Sequence, residues 1–125
     1  AAAMQALADS APGRWFTPGF TQAHPDVVQR AQAWIAGIAP EGYAACCEAL
    51  ATSDLRDSIS RIGVPTLLLA GADDPVTTVA DAQAMHDSIA GSSLAIVPAS
   101  HLSNLEAPQA FEKAVVNFLA HAAKA

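Results

Sequence analysis

Two short loops carry the residue types from which a hydrolytic centre is built. Gly71-Ala72-Asp73-Asp74-Pro75 offers carboxylates, and Ser100-His101-Leu102-Ser103-Asn104-Leu105-Glu106 offers an imidazole. A carboxylate that fixes the tautomer of a histidine and stabilises its protonated form makes that histidine a general base for a hydroxyl nucleophile. Each loop alone says little, because glycine-aspartate loops commonly cap helices. A single histidine is usually structural, and His24, His86 and His121 read as exposed or helix-terminal residues. The pairing of the two loops is what points to chemistry.

Both loops directly follow a short apolar run, Thr66-Leu67-Leu68-Leu69-Ala70 and Leu94-Ala95-Ile96-Val97, and these runs read as strands. Val79 to Ala90 reads as a helix that Gly91 terminates. A strand-helix-strand unit returns the chain in parallel with a right-handed crossover. Carboxylate and imidazole are therefore expected at the same end of neighbouring strands, where open α/β sheets place their chemistry. The run after Leu67 looks buried on both faces, as parallel strands are. Two parallel strands do not make a stable sheet, since each needs a neighbour for its outer hydrogen-bonding edge, so further strands are expected from elsewhere.

Residues 1–63 contain no convincing strand and read as a helical layer. Ala1 to Asp9 is helix-prone and is stopped by Ser10-Ala11-Pro12-Gly13. Arg14-Trp15-Phe16-Thr17-Pro18-Gly19-Phe20 reads as an aromatic-rich loop closed by a second Pro-Gly. His24-Pro25-Asp26 opens a helix on which Val27, Val28, Ala31, Trp34, Ile35 and Ile38 share one face. A further helix runs from Pro40 to about Ala51 with Tyr43, Cys46, Cys47 and Leu50 as its apolar stripe, followed by a shorter turn from Leu55 to Ile62. Glu106-Ala107-Pro108 starts the last helix, with Phe111, Val115, Phe118 and Leu119 on its inner face.

Composition narrows the class. The 125 residues match one average domain, and 52% hydrophobic content is enough for a core. Much of that content is alanine, which favours helix and buries little area per residue. Twelve acidic against six basic residues give a formal charge of -6, which argues against nucleic acid as a partner. No apolar run is long enough to span a membrane, and Ala1-Ala2-Ala3-Met4-Gln5 lacks the pattern of a signal peptide, so a soluble, cytoplasmic protein is expected. Cys46 and Cys47 are adjacent, a spacing that suits neither a mutual disulfide nor a metal site.

The residues from Val64 to Thr77, with Gly71-Ala72-Asp73-Asp74, resemble the seventh strand and acid loop of the α/β-hydrolase fold. Ala99-Ser100-His101 through Ala107-Pro108 resembles its histidine loop and last helix. Asp before His along the chain is also the order of that superfamily. Within it, Arg14-Trp15-Phe16-Thr17-Pro18, Pro40 to Leu50 and Asp54-Leu55-Arg56 resemble the cap of 3-oxoadipate enol-lactonases, which act in aromatic-compound breakdown through the β-ketoadipate pathway. The resemblance implies an α/β fold with residues 1–53 as helical cap and 54–125 as the C-terminal part of the core. It implies Asp74, rather than Asp73, as the triad acid and His101 as the general base. It also sets Trp15 over the substrate, and Arg14 is a candidate partner for the substrate's carboxylate. Ser100 stands where many relatives have glycine, a mild departure.

No Gly-x-Ser-x-Gly elbow and no upstream oxyanion loop occur in the 125 residues. Ser100 and Ser103 flank the base within its own loop, and Ser92-Ser93 precede a strand, so none is placed as a nucleophile. The first residue is not Met and the chain begins as if inside a helix. The expectation is therefore a C-terminal portion of a hydrolase roughly twice as long, whose partner is the N-terminal half carrying the serine and the oxyanion hole. The implied substrate is a small lactone, opened by acyl transfer without metal or cofactor. Two other readings stand beside it: a carboxylesterase sharing the same cap, and a non-catalytic interaction module in which Asp74 and His101 are relics. A serine elbow within reach of His101 separates the enzymes from the module, and turnover of enol-lactone against simple esters separates the enzymes from each other.

Overall fold

The computed structural model describes residues 2–122, with side chains described from residue 4. Ala1 and residues 123–125, which the sequence reading assigned to the first helix and to the end of the core portion, lie outside the described residues.

Proline sets where most helices begin. α1 spans Ala2–Ser10, α2 Pro12–Trp15, α3 Pro18–Ala23, α4 Pro25–Ala36 and α5 Pro40–Thr52. From α2 to α5 each first residue is a proline, whose missing N–H is one of the donors a helix start leaves unpaired anyway. This corrects the reading of Arg14 to Phe20 as one aromatic loop. Pro12-Gly13 and Pro18-Gly19 each open a short helix, and only Phe16 and Thr17 between them are extended or capping residues. Thr17 caps α3 by accepting the Phe20 N–H on its hydroxyl.

The remaining elements are α6 (Arg56–Ile59), β1 (Leu67–Gly71), α7 (Val79–Ser88), β2 (Ser93–Val97), α8 (Ser103–Glu106) and α9 (Pro108–Ala122). α8 lies within the histidine loop, which the sequence had left without structure. α7 begins with a reciprocal capping box: the Thr78 hydroxyl accepts from the Asp81 N–H, and the Asp81 carboxylate accepts from the Thr78 N–H. Gly91, with φ of 72°, takes the left-handed turn from α7 into β2.

β1 and β2 pair in parallel, from Leu67 opposite Ser93 to Gly71 opposite Val97. The strands end level, so the loops that follow them leave side by side. α7 and α9 both lie against this pair, and Leu68, Ala70, Ile89, Val97 and Ala99 are buried there. A second apolar cluster of Phe16, Val28 and Ala31 sits in the helical layer, with Trp15, Phe20, Val27, Leu102 and Leu105 packed on it. Because Leu102 and Leu105 come from the histidine loop, this cluster joins the helical layer to the strand tips.

Several apolar side chains are less buried than their spacing predicts. Trp34 is 59% exposed, Leu50 76% and Ile96 53%, and Leu119 on α9 is exposed as well. Every residue of α5 except Tyr43 is exposed, so the stripe of Cys46, Cys47 and Leu50 meets no partner among the described residues. The two strands are likewise less enclosed than expected, with Leu67 and Leu69 only half-buried.

Candidate active site

Gly71 lets the two loops converge. A Cβ built there would lie 2.3 Å from the Ser100 carbonyl oxygen and 2.5 Å from that of Ala99, so only a hydrogen fits between the strand end and the histidine loop. Backbone bonds then stitch the loops together: the Ala72 N–H donates to Val97 O at 2.9 Å, and the Asp73 N–H to Ala99 O at 3.0 Å. Asp73 therefore contributes its backbone to the junction while its side chain is exposed. The next residue, Asp74, turns inward.

Asp74 is a saturated acceptor. Its Oδ1 accepts from the Val76 N–H at 2.7 Å and the Thr77 N–H at 3.1 Å. Its Oδ2 accepts from the Thr77 hydroxyl at 2.8 Å and lies 2.9 Å from His101 Nδ1. The Asp74 side chain is only 5% exposed. Burial pushes its carboxyl upward, but the hydrogen bonds from His101, Val76 and Thr77 outweigh burial and hold it below the usual carboxylate range. It is thus a carboxylate at neutral pH.

The His101 side chain is 29% exposed, and Nδ1 is the nitrogen committed to Asp74. With Nδ1–H donating to a buried carboxylate, Nε2 is the nitrogen free to take up a proton. Thr77 Oγ1 lies 3.4 Å from Nδ1, so the threonine touches both members of the pair. Among the described residues the hydrogen-bond partners of His101 are Asp74 and Thr77, and no serine is one of them. Ser100 is buried, with its hydroxyl directed at the carbonyls of Arg14 and Asp73, each at 3.4 Å.

Arg14 and Trp15 are brought to the histidine loop by their backbones. The Leu102 N–H donates to Trp15 O at 3.0 Å, and Arg14 O faces the Ser100 hydroxyl. The Trp15 side chain is half-buried and lines an apolar groove of about 270 Å³ with Trp34, Ile35, Ile38, Leu102 and Leu105. Arg14 is exposed. Between Phe16 and the two strand-end loops opens a second hollow of about 320 Å³, lined by Gly13, Phe16, Thr17, Pro18, Asp73, Pro75 and Ser100; Arg14 is not part of its lining.

Sequence reasoning missed two polar side chains that hold this arrangement. Thr77 was read only as part of the acid loop, yet it donates to Asp74 through both backbone and hydroxyl. Glu106 was read as a helix start, yet its carboxylate reaches back to the Ser100 N–H and across to Thr17. The available signal was position: a threonine three residues after the aspartate, and a glutamate five after the histidine.

Parallel strands ending level, with a buried carboxylate and a histidine bonded across their tips, define the end of a particular fold. The chain belongs to the α/β-hydrolase superfamily and corresponds to the C-terminal part of that fold. No family model matches it. It is similar to 3-oxoadipate enol-lactonase 2 of Acinetobacter baylyi, with 50% identity over 109 residues, covering 87% of this chain and 41% of that protein. It superposes on the crystal structure of the enol-lactonase from Burkholderia xenovorans LB400 with a TM-score of 0.91 and 38% identity, covering 94% of this chain and 45% of that one. A thermophilic esterase from Thermogutta terrifontis is also similar, with a TM-score of 0.86 and 27% identity over 93% of this chain and 43% of that one. The chain therefore spans less than half the length of each of these proteins.

Proposed function

We propose that this chain is the cap and the C-terminal core of an enzyme that hydrolyses 3-oxoadipate enol-lactone to 3-oxoadipate in the β-ketoadipate pathway. Residues 1–53 are the cap segment and 54–125 belong to the core. Asp74 is the triad acid, His101 the general base, and a serine on the N-terminal half of the enzyme is the nucleophile. The observation that carries the reading is the 2.9 Å bond from a buried carboxylate to His101 Nδ1, in a chain 50% identical to an enol-lactonase over 109 residues. The same reading has the enzyme act in the cytoplasm; among the described residues no helix is long and apolar enough to cross a membrane.

The chemistry is acyl transfer. The serine oxygen attacks the lactone carbonyl while Nε2 of His101 takes its proton, and Asp74 stabilises the imidazolium. Collapse of the tetrahedral intermediate breaks the bond between the acyl carbon and the ring oxygen, and His101 returns the proton to the departing enol oxygen. The enol tautomerises to the ketone. His101 then deprotonates a water that attacks the acyl-enzyme, releasing 3-oxoadipate and restoring the serine. In this scheme the Trp15 indole lies over the lactone and Arg14 pairs with its free carboxylate.

The surface supports the need for a second segment. A folded monomer of 12.8 kDa exposes about 6,300 Å² by the usual size scaling, whereas this chain exposes 8039 Å². The difference is of the size that one partner contributes to an obligate interface.

A carboxylic ester as substrate is the second reading, favoured by the likeness to the Thermogutta esterase. The deciding experiment joins this chain to the N-terminal half of the enzyme and compares enol-lactone with p-nitrophenyl acetate. The proposal expects kcat/KM for the enol-lactone to be the larger by about 100-fold or more, a difference of about 2.7 kcal/mol in transition-state binding. Equal or reversed preference would hand the site to the esterase reading. An assembly inert on both substrates would leave neither enzymatic reading standing.

A further inference from the structure

Glu106 makes bonds that neither a triad nor a helix start requires. Its Oε2 accepts from the Ser100 N–H at 2.9 Å, which is the peptide donor immediately before His101. The Thr17 N–H is shared between Oε1 at 3.2 Å and Oε2 at 3.3 Å, and the Thr17 hydroxyl also donates to Oε1. Thr17 is the residue that caps α3, so one carboxylate holds both the base's loop and a helix start in the cap. Two further bonds run alongside it, Leu102 N–H to Trp15 O and Ser100 Oγ to Arg14 O. No Lys or Arg among the described residues forms an ion pair with Glu106. All its partners are neutral donors, and each such bond is strengthened by the carboxylate's charge.

We propose that Glu106 is a positioning residue for His101. Its carboxylate fixes the Ser100 peptide and, through Thr17, makes the placement of the base depend on the cap being seated. The proposal rests on the reading of Asp74 and His101 as acid and base. A carboxylate is required because every group facing it is a donor. A glutamine of the same shape presents one acceptor oxygen and turns an NH₂ toward N–H groups, leaving part-buried donors without partners.

The test uses the complete enzyme, with Glu106→Gln, Thr17→Val and Thr17→Ser compared with wild type and with His101→Ala. Three quantities are read: melting temperature, kcat separately from KM, and the downfield NMR resonance of the His101 Nδ1 proton on Asp74. For a folded Glu106→Gln the expectation is a loss of about 10- to 100-fold in kcat, the scale of a small misplacement of a reacting group. KM should change far less, and the Nδ1 resonance should broaden or shift. Thr17→Val should follow in the same direction with a smaller effect, and Thr17→Ser should restore the wild-type values. A residue that merely holds the fold would lower the melting temperature and leave kcat and the resonance of the folded enzyme alone, and that result overturns the proposal. If Glu106→Gln does not fold, Thr17→Val decides: reduced kcat with an altered resonance supports the coupling, and wild-type values reject it. An active His101→Ala would instead remove the base assignment itself, an outcome separate from a failure at Glu106.

Discussion

Asp74 receives four hydrogen bonds, from the backbone of Val76 and Thr77, from the Thr77 hydroxyl and from His101. Because its carboxyl is held below the usual range, folding favours the ionised form. Its contribution to stability is present above the unfolded value of about 3.9 and is lost as pH falls through the lower folded value. Asp74→Asn is therefore expected to flatten the loss of stability below about pH 4, read from denaturant unfolding of the complete enzyme across pH. At neutral pH the same variant should lower kcat by about 10⁴-fold, as an amide favours the wrong histidine tautomer. Thr77→Val removes one hydroxyl bond to a buried carboxylate and should cost about 1.5 kcal/mol in unfolding free energy. The aspartate and the histidine were legible from their loops, but choosing Asp74 over Asp73 took a family resemblance. In three dimensions it is the Asp74 carboxylate that meets His101, while Asp73 is exposed. Thr77 was illegible because a threonine after an aspartate is equally common in a loop that does nothing.

The level ends of β1 and β2, with the tight crossing at Gly71, give the element scale its own test. Gly71→Ala sets a methyl against two backbone carbonyls that cannot rotate away, so the histidine loop must shift. We expect a stability loss of about 1 to 3 kcal/mol in thermal or denaturant unfolding, with a fall in kcat that persists at temperatures where the variant is fully folded. Retained kcat in the folded variant would mean the loop adapts without moving His101. The alternation of strand, helix and strand was readable because β1, α7 and β2 follow from apolar runs, a capping threonine and a glycine. The segment from Pro12 to Ala23 was misread because Pro-Gly signals a turn and a helix start equally well. What decides is whether the following residues find a surface, and Phe16 and Phe20 find one on Val28 and Ala31. The exposed stripe of α5 shows the converse, since an apolar period announces a buried face without saying which polypeptide buries it.

At the scale of the molecule, the exposed area and the bare faces of α5 and β2 predict that this chain by itself unfolds with low cooperativity. Joined to the N-terminal half that the proposed function calls for, it should show one sharp transition, checked by comparing calorimetric with van't Hoff enthalpies. A sharp transition for the chain alone would mean that its own small cores suffice. The bonds at Glu106 carry a consequence for how such a molecule reaches its native state. Asp74 and His101 are 27 residues apart, within one strand-helix-strand unit, whereas Thr17 and Glu106 are separated by 89. Closing the longer loop costs about 1 kcal/mol more chain entropy than closing the shorter, and long-range closures come late in folding. Asp74 and His101 should meet early, while the helical layer is still searching for its seat, so on the proposed reading the last step of folding is the one that readies the centre for work.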